Sequence, residues 1–162
     1  MPQMLPGRTS ADLDGDFVVF LIGMRFNQLW KVHKWWPVVI AMPRMLRVLY
    51  QRPELGLLGT TCWVGPRGPL VVQYWRSLAQ LEAFARAAAL PHHAAWRAFN
   101  RAIGGNGDVG IWHESYLVRA GQWEALYCNM PRFGLAAAGE QVPAAARGQS
   151  AAQRRAAGSV RV

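Results

Sequence analysis

Cysteine is scarce: the chain holds two, Cys62 and Cys128. Each lies in an apolar stretch outside any CxxC or Cys/His spacing suited to zinc, so no metal site is expected and both read as buried, reduced thiols. Acid is scarce too. Nine Asp and Glu stand against 18 Lys and Arg, a formal net charge of +9. Four of the arginines fall in residues 141–162, which hold no acid, so the first 140 residues carry 14 basic and 9 acidic groups. The charges are scattered with no dense basic run, and nucleic acid is not an expected partner. Long apolar runs are absent. The longest, Phe17 to Gly23 extended by Met24, is far short of the ~20 residues that cross a bilayer. It follows Asp12, Asp14 and Asp16, the wrong flank for a secretory signal. No membrane insertion is expected, and a cytoplasmic location is. Also missing are HExxH, a Ser-His-Asp order and paired carboxylates. The run Gly104 to Gly107 (GGNG) follows a helix and precedes a strand, the reverse of a phosphate-binding loop.

What is present suits a globular domain: 162 residues, 52% apolar, with eight tryptophans, enough to bury a sizeable core. The run DFVVFLIGMRF at 16–26 is continuously apolar, which predicts a strand covered on both faces. Beyond it Val38, Met42, Met45, Leu46 and Leu49 recur at helical spacing. Pro37 suits a first helical turn, and Pro43 is expected to kink or divide the helix. GLLGTTCWV (56–64) and LVVQYW (70–75) flank GPRGP and read as a hairpin. Ser77 followed by Gln80 signals a capped second helix ending near Ala89, and Pro91 opens a further helical piece closed by Gly104 and Gly105. GNGDVGIWHESYLV (105–118) reads as a strand, and WEALYCNM as a last short one.

The order β-α-β-β-α-(α)-β-β is the split βαβ, ferredoxin-like arrangement: an α+β fold on an antiparallel four-stranded sheet. Its helices cover one face. Because the first strand is apolar on both, the second face is expected to meet the same face of another copy, closing a dimeric α/β barrel. Residues 1–14 are expected to be flexible, 15–137 to form the domain, and 138–162, rich in alanine, glycine and arginine, to be a disordered tail.

The segments RFNQLWKVHKWWPVVIAMPRMLRVL, LVVQYWRSLAQLEAFAR, HHAAWRAFNRAIGGNGDVGIWHESY and CNMPRFGLA carry a family resemblance. Over roughly residues 15 to 140 the chain resembles the small monooxygenase-like proteins typified by the monooxygenase of the fumagillin pathway. That family is grouped with the antibiotic-biosynthesis monooxygenases and the haem-containing aldoxime dehydratases. The resemblance implies a tailoring enzyme acting on a hydrophobic natural-product intermediate. It carries no catalytic residue onto this chain.

Candidates therefore come from the side chains themselves. Oxygenation without a cofactor needs a base, a dry pocket and polar groups for reduced oxygen. His113 shares a strand face with Ile111 and Ser115, while Trp112, Glu114 and Tyr116 take the other, so His113 and Glu114 are not partners. On the piece after Pro91, His92 shares a helical stripe with Trp96 and Phe99, with Asn100 beside it. His113 and His92 are the candidate bases, and Trp75, Trp96, Asn100 and Trp112 the candidate substrate contacts. The alternatives are structural: a histidine bonded to a carbonyl at the core edge, and tryptophans that are core. A haem ligated by either histidine, or a non-catalytic barrel that binds a small ligand, are the competing functions.

Overall fold

The computed structural model describes residues 3–87, 97 and 105–159. In chain order, β1 (Leu5–Asp12) precedes β2 (Phe17–Phe26), α1 (Val32–Gln51), β3 (Leu57–Gly65), β4 (Gly68–Trp75), α2 (Leu78–Arg86) and β5 (Val109–Val118). Strands β2 to β5 form one antiparallel sheet in the order β3-β4-β2-β5. With α1 and α2 as the crossovers, this is the ferredoxin-like split βαβ that the sequence predicts.

Helix α1 starts at Val32, a turn and more before Pro37, and it is not divided at Pro43. Each proline forfeits one helical hydrogen bond. Beyond Pro43, however, Met45, Leu46 and Leu49 pack on Val18 and Trp75 of the sheet, and this burial holds the second half in place. Helix α2 is capped as expected: Ser77 Oγ accepts from the Gln80 amide at 3.2 Å and donates to its side-chain oxygen at 3.0 Å. In the hairpin, a Cβ at Gly68 would collide with the Met24 carbonyl, so the turn admits only glycine there.

Cross-strand register sorts the sheet into two faces. Rows Leu57–Trp75–Val18–Leu117, Thr60–Gln73–Phe20–Ser115 and Cys62–Val71–Ile22–His113 look toward the helices. There Val18, Leu49, Trp75, Leu81 and Phe84 form a buried core. Rows Gly59–Tyr74–Val19–Tyr116, Thr61–Val72–Leu21–Glu114 and Trp63–Leu70–Gly23–Trp112 look the other way.

That second face is covered in part by the chain's own ends. β1 lies between β6 (Tyr127–Met130) and β7 (Glu140–Pro143) in a separate antiparallel sheet. A short helix, α3 (Leu135–Ala138), lies between those two flanking strands in sequence. Ala11, Phe17, Trp123, Leu135 and Ala136 form a second core, with Val19 and Tyr74 packed against it. The last expected strand thus pairs outside the main sheet.

Neither residues 1–14 nor 138–162 can therefore be taken as unstructured: β1 falls in the first segment, and β7, α4 (Ala144–Arg147) and α5 (Ala151–Ser159) in the second. The tail is fastened by arginines rather than by apolar mass. Arg147, 5% exposed, pairs with Asp12 at 2.6 Å and lies 5.1 Å from the Trp123 ring centre. Arg154 pairs with Glu124 at 2.7 Å. Both cysteines, expected buried, are exposed, because each sits on an edge strand. Among the described residues no helix is long and apolar enough to cross a membrane.

Candidate active site on the helix-side face of the sheet

The candidate base lies on the edge strand. His113 pairs with Ile22 across β5 and β2, is exposed, and holds its ring 5.6 Å from that of Phe20. Glu114 points to the opposite face and accepts a 2.5 Å hydrogen bond from the Tyr116 hydroxyl. That bond raises the Tyr116 phenol above its ordinary pKa, because ionisation would place a phenolate beside the carboxylate.

One row along, the sheet buries an amide. Gln73 is 1% exposed and sits beside Phe20 on the central pair β4 and β2. Its Oε1 accepts from Trp75 Nε1 at 2.8 Å, while its Nε2 has no partner among the described residues. An unpaired buried donor costs about 1–3 kcal/mol, so an oxygen acceptor placed at Nε2 gains hydrogen-bond energy there. Tyr50 brings α1 onto the same row through a 2.8 Å hydrogen bond between its hydroxyl and that of Thr60. Between Gln73 and His113 the sheet carries Phe20, Ile22 and Val71, of which Val71 is buried like Gln73. Two strand spacings of ~4.8 Å across the sheet and one row of two residues at ~3.4 Å each along it separate the positions that carry the amide and the imidazole, so their Cα atoms stand roughly 12 Å apart. The arrangement offers a proton acceptor and a hydrogen-bond donor at opposite ends of an apolar strip.

The other expected contacts divide. Trp75 is fully buried against Phe84, with 5.5 Å between ring centres, so it is core and its bearing on the site is to orient Gln73. Trp112 is excluded from His113's face: its indole lies over Gly23 on the opposite side. His92, Trp96 and Asn100 lie outside the described residues. Gln73, Tyr50 and Thr60 were not singled out from sequence. Gln73 did carry a signal, since alternation in VVQYW puts this one amide on the same face as Val71 and Trp75.

On the far face, the small sheet leaves an aromatic row open. Trp63 is 53% exposed, Trp112 41% and Tyr116 51%, with Leu70, Val72 and Leu21 between them. A shallow cleft of about 360 Å³ runs from Trp112 past Arg25 to Arg67 and Pro69. At the covered end, burial raises the phenol pKa values of Tyr74 and Tyr127. Among the described residues no three His, Cys, Asp or Glu side chains are placed to hold a metal ion.

A family model described as Monooxygenase af470-like matches residues 17–135. Monooxygenase af470 of Aspergillus fumigatus is 24% identical over 157 residues, covering 80% of this chain and 53% of that protein. The chain thus spans about half the length of the curated relative it matches. Two solved structures are similar, each at 14% identity. An aldoxime dehydratase in complex with butyraldoxime has a TM-score of 0.49 and covers 83% of this chain and 41% of that one. A dimeric ferredoxin-like protein from an uncultured marine organism has a TM-score of 0.43 and covers 65% and 96%.

Proposed function

The chain belongs to the Monooxygenase af470-like family, and on that premise we propose that it is a small tailoring monooxygenase that oxidises a hydrophobic natural-product intermediate without a cofactor. The observation that carries this reading is the buried Nε2 of Gln73, unpartnered among the described residues, on the same sheet face as His113. The substrate is an apolar ring system with an acidic CH2 or hydroxyl group, laid on Phe20, Ile22 and Val71. Neutral His113 takes the proton, and the resulting carbanion or enolate reduces dioxygen and forms a C–O bond. One oxygen atom is kept as a carbonyl and the other leaves as water. All four electrons that reduce O2 come from the substrate carbon, so CH2 and O2 become C=O and H2O. The Gln73 amide donates to the oxyanion that forms on the substrate. The open aromatic row of Trp63, Leu70 and Trp112 is the seam of a homodimer.

Oxygen uptake with a panel of enolisable polycyclic ketones and apolar phenols tests the reading. The wild-type protein should consume oxygen in step with product, and His113→Phe should abolish uptake while remaining folded by circular dichroism. Gln73→Leu should lower kcat about 100-fold, the usual effect of losing one oxyanion donor. A Soret band in the purified protein would replace this reading with a haem protein ligated by His113. Ligand binding without oxygen uptake in a colourless protein would leave a non-catalytic barrel.

A further inference from the structure

A second surface stands apart from the sheet faces, around the start of α1. The 37 residues from Phe17 to Pro53 contain six Lys or Arg and no Asp or Glu. Within that span the loop entering α1 displays large apolar side chains: Trp30 is 76% exposed, Val32 47% and Leu29 43%. The loop is fixed at both sides of Trp30. Trp35 stacks on Phe26 with 4.4 Å between ring centres and donates from Nε1 to the Leu29 carbonyl at 3.1 Å. Lys31 is paired with Asp108 at 2.7 Å. Trp30 is thus held out into solvent rather than left without a place to fold.

Helical spacing continues the surface. Met45 and Leu49 face the sheet, which at 100° per residue turns His33, Trp36, Arg44 and Arg47 outward. Trp36 is 53% exposed. Arg44 and Arg47 are exposed and form no ion pair among the described residues. Tryptophan rings beside basic side chains, with Leu and Val between them, are the chemistry of the headgroup level of a bilayer. The cations meet anionic lipid, while the rings and aliphatic groups enter the acyl boundary. A second copy fits less well, because a two-fold contact would set one acid-free stretch against another. A nucleic acid would use the rings and cations but not Leu29 and Val32.

We propose that this face docks the protein on an anionic lipid surface, lying on the bilayer without crossing it. The test is co-sedimentation with phosphatidylcholine vesicles carrying about 30% phosphatidylserine, against vesicles of phosphatidylcholine alone. The full chain is expected to pellet with the anionic vesicles and to be released by salt. Arg44→Gln with Arg47→Gln should lower the partition coefficient roughly 25-fold, about fivefold per cation. Trp30→Ser with Trp36→Ser should lower it by at least about tenfold on the same vesicles. Circular dichroism confirms that each variant is folded, and none of the four residues belongs to the site on the sheet. The proposal is overturned if the wild type does not pellet at low salt, or if either double variant pellets as it does. It is equally overturned if a short oligonucleotide displaces the vesicles, or if the tryptophan variants change the oligomeric state in light scattering.

Discussion

The indole of Trp112 occupies the space that a methyl group at Gly23 would need, with its Cε2 2.5 Å from the ideal Cβ position. Gly23→Ala should therefore lift the ring off the sheet and cost about 1–3 kcal/mol in denaturant unfolding. In a Trp112→Ala background the same substitution should cost almost nothing, and equal costs in the two backgrounds would disprove the contact. The paired tyrosines give a pH dependence. Burial raises the phenol pKa of Tyr74 and of Tyr127, so between the ordinary tyrosine value and the raised one the folded state binds more protons than the unfolded state. Stability is then intact below the ordinary value and falls as pH climbs through this alkaline window. Tyr74→Phe should flatten the fall, which thermal melts across that range would record. At this scale the two-residue period of a strand was informative: it separates His113 from Glu114, and applied one residue earlier it also separates Trp112 from His113. What it could not supply was the hydrogen-bond tally at Gln73, because an unpartnered Nε2 is visible only once Trp75 is seen to take the Oε1.

Among the elements, the tail departs furthest from its composition. Residues 138–162 have no aromatic side chain, and measured by apolar mass they cannot offset the entropy of ordering. Their order comes from single long-range partners, Arg147 on Asp12 and Trp123 and Arg154 on Glu124, which no local pattern announces. Arg147→Met should cost about 3 kcal/mol, the usual result of breaking a buried ion pair from one side. Deleting residues 140–162 should cost more, since it also removes β7 from β1. A melting temperature unchanged by the deletion would mean that the tail does not dock. The elements of the main sheet were legible because their signals are local: a continuous apolar run for β2, a glycine-proline turn for the hairpin, Ser77 and Gln80 for α2. Helix α1 was only half legible. Pro43 argues against a single helix on local grounds, and the packing of Met45 and Leu49 outweighs it.

For the whole molecule, the open row across Trp63, Leu70, Gly23 and Trp112 sets the expectation of association. Static light scattering should return twice the 18.0 kDa chain mass, and Trp112→Glu should return the single mass by placing a charge in an apolar seam. A wild-type protein of single mass at all concentrations would leave that row without a partner. The paired ends have a mechanical consequence. In the antiparallel match of β1 with β7, Thr9 faces Pro143 and Asp12 faces Glu140, so both chain ends leave from the same end of the ladder. A pull on the two termini loads the Arg154–Glu124 and Arg147–Asp12 ion pairs and the pairs of β1 with β6, and it opens the β1–β7 ladder one pair at a time from Thr9–Pro143 toward Asp12–Glu140. Load in that geometry falls on one pair rather than on all of them together. The terminal sheet should give way at low force, like a zip drawn from its open end, while β2 to β5 stay closed behind it.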